Sequence, residues 1–520
     1  MTTYSRPGVF IQEVELPQTI ALANNGTAIG AFVGSLSQGP TTVPVLVSSW
    51  SEFTKVFGSL NDAYPTTWAA YNFFANGGRQ LYVKRVVNGA VSATTTLPDA
   101  VPNDTLTIKA ANPGVWGNSL SVQIKAAGTT SRFNLVVYGA PVISGSATSN
   151  ILEQYSDLSM VATDPRYAVS VINAASSYIM AVDAGSVSVG AAKNPVVTSS
   201  TVPVALTSGT NGDTLVEDDY SGALTAFDPI NSPLVFNIPD AAYLYTSTSD
   251  GSVLTRVTNI QADVLDYAAL RGDAFVVIDT PAGYSPSDAQ SFVAAVLAAA
   301  PDATGREAAA YYPWVNIPNT LIAIPGATRL QAPGAAMVGQ YLATDASVGV
   351  FKTPAGYNNR IANAVSTERQ LSNSDLDSLN TGTNPVNSIR FVPGNGIVVM
   401  GGRTLLNAPG DRYINVRRAM IYLKKQLSDL SAFAIFENND ERLWTHLRIV
   451  LSEFLRGYWQ SGGLRGGSGD QAFYVQCDSS TTTAADILAG RVNINVGVAI
   501  EYPAEFVVIS LGQLTGNATA

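Results

Sequence analysis

Both ends of this chain read as single extended strands that have no partner strand beside them in the sequence. Residues 1–14 and 505–511 are rich in β-branched and aromatic side chains, and neither stretch lies next to a hairpin partner. A lone strand must find its backbone partners in another sheet, because unpaired N–H and C=O groups are costly. Two such arms predict subunits that join their neighbours by strand addition, which indicates a polymer rather than an enzyme. The arm residues in this pattern are Val9, Phe10, Ile11, Val14, Phe506, Val507, Val508 and Ile509.

The bulk composition limits the classes of protein to which the chain can belong. Its 520 residues are too many for one hydrophobic core, so about three domains are expected. Only 13% of the residues are charged, against about 25% in a typical soluble protein. Much of the surface is therefore either neutral or covered by contacts. A net charge of −10 argues against nucleic-acid binding, which normally needs a basic face.

The cysteine and histidine counts exclude several kinds of site. A single cysteine, Cys477, allows no internal disulfide and no cysteine-based metal site, and a single histidine, His446, excludes motifs that need a histidine pair. No secretory signal is visible, and prolines interrupt the longest uncharged run, residues 308–328. We therefore expect no metal, no cofactor and no direct membrane insertion, and we expect synthesis in a reducing cytoplasm.

The residue pattern divides most of the chain into three blocks. Residues 27–86 alternate apolar strand-like runs with short helical patterns, which is typical of an α/β unit. From about residue 88 to residue 212, Thr, Ser, Ala, Val and Gly dominate and short strands recur, which predicts a β-rich insertion. Residues 217–393 return to an α/β pattern, in which the apolar run 274–279 predicts a strand covered on both faces.

The last block has the clearest pattern. Apolar residues at spacings of three and four predict a helix over 413–430, with Asp411 as its cap, and a second helix from about residue 439. Two strands are predicted after these helices, over 472–477 and 492–500, and the second alternates apolar and small or polar residues with a period of two.

The sequence contains neither the phosphate-loop motif nor the nucleophile-elbow motif. The glycine-rich stretch Gly462–Gly469 leaves a helix rather than entering one, so it is interpreted as a flexible or contact loop. We interpret His446 as an ordinary helix residue, Cys477 as a small buried residue, and the acidic run Glu217–Asp219 as a solvated turn rather than a cation site. We therefore predict no catalytic, cofactor-binding or metal-binding residue. An enzyme would have to use Asp279, which lies at the end of a predicted buried strand.

One basic cluster stands out in this acidic chain. Five of its 29 basic residues, Arg412, Arg417, Arg418, Lys424 and Lys425, lie within 14 residues of one another. One interpretation is an ordinary solvated flank of the predicted helix. The other is a contact surface for an acidic protein partner, where basic side chains would fix register and orientation. The residue pattern leaves both interpretations open.

Several motifs occur in a fixed order along the chain: Arg6–Val14, Tyr311–Trp314, Pro333–Gly339, Val392–Leu405 and Tyr413–Arg418. Together they resemble the contractile tail sheath proteins of bacteriophages and related injection particles. The resemblance covers about residues 4–85 and 270–511, whereas residues 90–210 match nothing known to us, as expected for a family whose inserted domains vary. Met400–Gly402 departs from the Trp-Gly-Ala expected there.

The resemblance implies a multidomain chain of α/β and α+β class with a discontinuous inner domain that faces a tube. The N- and C-terminal parts would form this domain, and the middle of the chain would be inserted outward. The expected divisions are an N-terminal arm over 1–20, an inner domain from 21–88 plus 395–502, a β-rich outer domain over 89–212, an α/β middle domain over 213–394 and a C-terminal arm over 503–520.

The resemblance also implies a function. The chain would be a structural subunit that polymerises helically around a tail tube, in rings of six, and contracts from a metastable state to drive the tube through a cell envelope. Its partners would be further copies of itself, the tail tube protein, and the baseplate and terminator proteins, but not nucleic acid. The candidates for contact with the tube are Arg417, Arg418, Lys424 and Lys425. The particle would be a virion tail assembled in a bacterial cytoplasm.

Other structural roles remain open. The low charge and the Ser/Thr-rich middle favour a non-contractile surface-layer or adhesin-like protein, although the missing secretory signal and the α/β ends argue against it. A tube or baseplate protein of the same kind of particle is a closer alternative.

Overall fold

The computed structural model describes residues 28–139, 151–198, 203–244 and 251–505, and all structural statements concern these residues. The strands are β1 Ile29–Ser35, β2 Val45–Val47, β3 Leu81–Val86, β4 Thr94–Pro98, β5 Asp104–Ala110, β6 Ser121–Ala126, β7 Phe133–Tyr138, β8 Ile151–Leu158, β9 Ile179–Asp183, β10 Val204–Ala205, β11 Leu234–Asn237, β12 Ala274–Asp279, β13 Ala308–Tyr312, β14 Val315–Pro318, β15 Thr328–Gln331, β16 Ser366–Thr367, β17 Asn387–Val392, β18 Gly396–Val399, β19 Phe473–Gln476 and β20 Asn495–Val498. The helices are α1 Trp50–Phe57, α2 Pro65–Ala75, α3 Ala168–Ala175, α4 Glu217–Leu224, α5 Pro239–Leu244, α6 Gly251–Arg271, α7 Pro286–Ala299, α8 Gly334–Ser347, α9 Asn373–Thr381, α10 Ile414–Ser431, α11 Glu441–Gln460, α12 Gly469–Ala472 and α13 Ala484–Leu488.

The largest unit is an eight-stranded sheet with the order β18-β17-β13-β12-β11-β1-β3-β2. Its six central strands run parallel, and the two edge strands, β18 and β2, run antiparallel to their neighbours. Strands in the middle of a parallel sheet are covered on both faces and are therefore apolar throughout. Strand β12 has this character, because all six of its residues are buried.

Helices cover both faces of this sheet. One hydrophobic core contains residues of α4, α6 and α7, and the other contains residues of α1, α2, α8 and α10. Local sequence signals set the ends of several helices. Ser285 accepts a hydrogen bond from the backbone N–H of Asp288 at 3.2 Å, and the Asp288 carboxylate accepts from the Ser285 N–H at 3.1 Å, which makes a capping box at the start of α7.

Two local predictions in this part of the chain are corrected. Glu217–Asp219, predicted as a turn, form the first turn of α4, where the helix dipole favours acidic side chains. Asp411 is not the cap of α10, because that helix begins at Ile414 after Tyr413, without a side-chain cap bond. The carboxylate of Asp411 instead lies 3.8 Å from the guanidinium of Arg306.

The main sheet joins strands that are predicted to lie in two different domains. β1, β2 and β3 belong to the segment 21–88, and they share the sheet with β11, β12 and β13 of the segment 213–394. The pairing of β1 with β11 aligns Ile29 with Leu234, which lies about two hundred residues later in the chain. A residue pattern shows that a strand forms, but it does not show which distant strand lies beside it.

The β-rich part of the chain lies between β3 and α4. It contains two antiparallel sheets, β4-β5-β9 and β10-β6-β7-β8. Both sheets and α3 contribute to one further hydrophobic core, which includes Ile108, Ile124, Leu135 and Ile172. The alternation of buried and exposed residues along β5 and β9 is typical of antiparallel sheets that face water on one side.

The C-terminal part packs its two long helices against a small sheet. Residues of α10 and α11, among them Leu423 and Leu455, form a core with the side chains of β19 and β20. Asp440 caps α11, since its carboxylate accepts hydrogen bonds at 3.0 Å from the N–H groups of Arg442 and Leu443. The predicted mixture of α/β and β-rich parts in several sheets is thus confirmed.

Candidate functional site

β19 and β20 form a two-stranded antiparallel sheet to which no other described strand adds. We call it the C-terminal ribbon. Phe473 lies opposite Val498, and Gln476 lies opposite Asn495. Each strand is therefore bonded along one side only, and its other side carries backbone donors and acceptors outside the ladder. An open edge of this kind is a template for pairing with another chain.

One face of the ribbon packs onto the neighbouring helices. Val475, Val496 and Val498 pack against the core that contains Leu455 and Tyr458 of α11. A two-stranded sheet alone is marginally stable in water, so this packing holds the ribbon in place. The edges can thus stay open while the ribbon itself stays folded.

The other face of the ribbon is exposed to solvent. Tyr474 is 59% exposed, and its ring lies across the position opposite, Gly497. A Cβ atom added at Gly497 would lie 2.1 Å from Cε1 of Tyr474, so a side chain at this position would displace the Tyr474 ring.

The register of the ribbon indicates which backbone groups point outward. The N–H of Ala499 donates to the carbonyl of Ala472 at 2.8 Å, in the same register as the strands. Ala472 and Ala499 are thus a hydrogen-bonded pair. Antiparallel strands alternate between hydrogen-bonded and non-hydrogen-bonded pairs, so the next pair along the ribbon and every second pair after it direct their backbone N–H and C=O groups away from the partner strand. These outward positions are Phe473, Val475, Val496 and Val498.

The predicted arm residues lie outside the described part of the chain. This applies to every member of both groups, Val9, Phe10, Ile11 and Val14 at one end and Phe506, Val507, Val508 and Ile509 at the other. Their role as linking strands stays a prediction.

The structure corrects the sequence interpretation of Arg418. Its guanidinium binds the carboxylate of Asp345 on α8 through two contacts, at 2.9 and 2.5 Å, and only 3% and 1% of the two side chains are exposed. The guanidinium also lies 4.7 Å from the centre of the Tyr341 ring. A side chain buried in this way cannot contact a tube, and the sequence missed the burial because it did not show that α8 packs against α10.

The other three basic candidates on α10 have different surroundings. The guanidinium of Arg417 lies 3.7 Å from the carboxylate of Glu307 and is 14% exposed, and Lys425 pairs with Asp429 one turn along the same helix. Lys424 is exposed and forms no ion pair with a described residue. Contact of these three with a tube stays a prediction, for which Lys424 is the most accessible.

Asp279, the residue that an enzyme would have to use, is bound within the fold. Its carboxylate accepts hydrogen bonds from the side-chain amide of Asn237 at 2.8 Å and from the backbone N–H of Gly334 at 2.7 Å. Burial raises its pKa to about 6. The carboxylate therefore ties the ends of β11 and β12 to the start of α8.

The protein's own side chains fill the crevice where α/β proteins commonly bind ligands. The strand order reverses between β1 and β11, and ligands usually bind at the carboxyl ends of the strands at such a point. Here the carboxylate of Asp240 accepts a hydrogen bond from the backbone N–H of Ser35. It also accepts from the hydroxyls of Thr66 at 2.7 Å and Tyr220 at 3.3 Å.

The remaining sequence candidates lie apart from one another. His446 is exposed on α11, with its ring 4.6 Å from that of Phe433, and Cys477 is buried beside Trp444 and Leu447. Among the described residues no cluster of histidine, cysteine and acidic side chains suits a metal ion. No described helix combines the length and the apolar character needed to span a bilayer.

Comparison with known proteins places the ribbon within a matched region. Residues 411–511 match the family described as "Phage tail sheath C-terminal domain". Part of the chain is 28% identical, over 186 residues, to the tail sheath protein of Enterobacteria phage T4. That match covers 33% of this chain and only 27% of the T4 protein.

Solved structures resemble the chain over nearly its whole length. The sheath tail protein of Listeria innocua has a TM-score of 0.61 at 13% identity, with 91% of this chain and 95% of that chain covered. The helical sheath of the anti-feeding prophage in its contracted state has a TM-score of 0.56 at 19% identity, with 98% and 100% covered. At these identities the likeness shows the fold.

The family resemblance seen in the sequence is therefore confirmed: residues 411–511 match the phage tail sheath C-terminal domain, and the chain as a whole has the fold of the solved sheath structures.

Proposed function

We propose that this chain is the subunit of a contractile sheath in a phage-like injection particle. It polymerises helically around a tail tube when its terminal arms add strands to the C-terminal ribbons of neighbouring subunits. The observation that carries the proposal is the ribbon, a two-stranded sheet held by α10 and α11 with an open edge on each side.

The energetics of strand addition suit a lattice. An arm of about five residues gives several backbone hydrogen bonds, each worth roughly 1 kcal/mol net. A single arm therefore binds weakly. Each subunit both donates and accepts arms, so the lattice gains stability through multivalency while every link stays flexible.

Contraction in this proposal is a rigid-body change between two packings of folded domains, as in other interface-driven transitions. The arms keep neighbours tethered while the domains rotate and slide. The extended packing is metastable and is held by the tube and the baseplate, and its release drives the tube through the target envelope. No nucleotide hydrolysis is required.

The domain roles are also proposals, with one revision. Residues 1–20 and 503–520 act as arms, and residues 89–212 form an outward insertion. Residues 21–88 are grouped with 213–394 and with β18, at the start of the segment 395–502, because their strands share the main sheet. The rest of that segment supplies the surface that faces the tube.

The proposed partners are further copies of the chain in rings of six, the tail tube protein, and the baseplate and terminator proteins. Neither nucleic acid nor membrane insertion takes part. The subunit acts in a tail assembled in the bacterial cytoplasm, and it is not an enzyme.

A proline substitution at an outward position of the ribbon tests strand addition. Val496→Pro removes one outward N–H without removing a donor within the β19–β20 ladder, and Val496→Thr is the matched control that keeps this N–H. We expect both variants to remain folded by circular dichroism. We expect polymers seen by negative-stain electron microscopy for Val496→Thr and none for Val496→Pro. Full-length polymers from folded Val496→Pro would argue against pairing along β20.

Truncation tests the donor side of the same link. Removal of residues 1–14 is expected to leave folded monomers that no longer form long sheaths. If the truncated chain still forms full-length sheaths, the N-terminal segment is not a linking arm.

A further inference from the structure

The C-terminal segment creates a mechanical problem for a subunit that accepts strands on its ribbon. β20 ends at Val498, and the proposed C-terminal arm begins only a few residues later. Tension on an arm attached directly to β20 would act at the end of that strand. Such a load opens a ladder one hydrogen bond at a time, whereas a load shared between several bonds must break them together. A direct attachment would therefore peel β20 from β19.

The structure shows a strong attachment at Glu505, the last described residue of the chain. The carboxylate of Glu505 binds the guanidinium of Arg403 through two hydrogen bonds, at 2.9 and 2.7 Å. It also accepts from the side-chain amide of Asn380 at 3.0 Å and the hydroxyl of Tyr413 at 3.2 Å. Burial favours the neutral acid, yet the hydrogen bonds from Arg403 and Asn380 hold the pKa of Glu505 below its ordinary value. We call these four residues the Glu505 clamp.

Arg403 is fixed to the main sheet. Its backbone N–H donates to the side-chain carbonyl of Asn387 on β17 at 2.8 Å, and its backbone carbonyl accepts from the Asn387 amide at 2.7 Å. A further guanidinium N–H donates to the carbonyl of Asn380, on α9, at 2.7 Å. Only 7% of the Arg403 side chain is exposed, so the clamp is anchored inside the α/β part of the fold.

The residues between the ribbon and the clamp are held by backbone, amide and ring contacts rather than by an ion pair. The backbone carbonyl of Ala499 accepts from the N–H of Arg465 at 2.7 Å, and that of Glu501 accepts from the side chain of Asn415 at 3.0 Å. The ring of Tyr502 makes an edge contact with that of Tyr413, with 6.0 Å between the ring centres. Ile500 is also buried in the core of α10 and α11 and pairs with Leu464. These contacts fix the path of the chain, and the charged bonds at Glu505 lie at its end.

We infer that the Glu505 clamp is the anchor of the C-terminal arm, which fixes where residues 506–520 leave the fold and passes their load into the main sheet instead of the ribbon. This inference rests on the proposed function, because it assigns the arm a load. A bidentate carboxylate–guanidinium pair suits the role, since its parallel bonds are short, directional and stronger than neutral hydrogen bonds. Glu505 and Arg403 are thus positioning residues for assembly.

A spin label next to the clamp tests the anchor in the monomer. The label is attached at Ala504→Cys, with the buried thiol removed by Cys477→Ala. We expect an immobilised spectrum for this background and for the control Glu501→Gln, and loss of the immobilised component in Glu505→Gln and in Arg403→Met. An immobilised spectrum in all four proteins would overturn the anchor.

The critical concentration for polymer formation, measured by sedimentation, tests the anchor in assembly. An unanchored arm must be ordered when it docks, so we expect Glu505→Gln to raise this concentration by about tenfold or more, in line with the strength of a charged hydrogen bond. The control Glu501→Gln should assemble as the unsubstituted chain does. Assembly of Glu505→Gln at the unchanged concentration would overturn the anchor role.

A truncation separates failure of this inference from failure of the proposed function. If a chain without residues 506–520 assembles normally, donation of a strand by the C-terminal end is wrong, although loss of label immobilisation in Glu505→Gln would still establish the clamp. If the truncated chain fails to assemble while Glu505→Gln assembles normally, the result supports strand donation by the C-terminal arm and refutes the role of Glu505 as its anchor.

Discussion

Removal of Arg418 distinguishes a buried structural charge from a contact for a partner. The substitution Arg418→Met keeps the length and the apolar part of the side chain but leaves the carboxylate of Asp345 without its cation. Both side chains are almost fully buried, with 3% and 1% exposed. The substitution therefore removes the positive charge at a place where water cannot solvate the remaining carboxylate.

The size of the effect follows from this burial. Breaking a buried ion pair by removing one partner typically costs about 3–5 kcal/mol, because a buried charge is left uncompensated. This is a large share of a typical unfolding free energy of about 5–15 kcal/mol. By contrast, Lys424→Met alters an exposed side chain and should change the unfolding free energy by less than about 0.5 kcal/mol. Removal of both charges, in Arg418→Met with Asp345→Leu, should recover most of the loss.

The loss should also depend on pH. Burial already raises the pKa of Asp345, and Arg418 opposes that shift. Without Arg418 the folded-state pKa of Asp345 rises further above its unfolded value. A carboxyl group with a raised folded-state pKa contributes stability below the unfolded pKa, about 3.9 for Asp, and loses it as the pH rises through the folded pKa. The destabilisation of Arg418→Met should therefore be smaller near pH 4 than near pH 8.

Urea unfolding followed by tryptophan fluorescence measures these differences. At a slope of about 1–3 kcal/mol per molar, Arg418→Met should lower the midpoint by about 1 M or more at pH 8, and the double variant should restore it. Retention of the wild-type midpoint in Arg418→Met, with loss of tube binding, would refute the buried-pair reasoning and return Arg418 to the contact surface.

Two further predictions concern the basic face of α10 and a buried carboxylate. Charge reversal at Lys424 and Lys425 should weaken co-assembly with the tube protein more than self-assembly, and equal co-assembly of variant and wild type by co-sedimentation would remove both from the contact surface. For Asp279, whose pKa burial raises to about 6 from an ordinary value near 3.9, stability should be fully present below pH 4 and should fall by about 3 kcal/mol as the pH rises through 6. In Asp279→Asn the urea midpoint should lack this fall, and parallel pH profiles for the two proteins would contradict the assignment.

Local sequence patterns predicted many of the elements. The apolar stripe over 413–430 and the alternation over 492–500 correspond to α10 and β20, because the periods of 3.6 and 2 follow directly from helix and strand geometry. These features depend on neighbours in the sequence alone.

Long-range contacts account for what the sequence did not show. The basic pattern on α10 could not reveal that Arg418 faces Asp345 on α8, so a buried pair was assigned to the surface. The same limit hid the pairing of β1 with β11 and the Glu505 clamp. Arg403 and Glu505 are about a hundred residues apart, and no local motif links them.

Electron cryomicroscopy of the polymer formed by this chain tests the central claim most directly. The account predicts that strands from other subunits extend the C-terminal ribbon along the edges of β19 and β20, so that each ribbon becomes part of a larger sheet built from several chains. A helical map in which both ribbon edges face solvent, with the contacts between subunits made elsewhere, would contradict it.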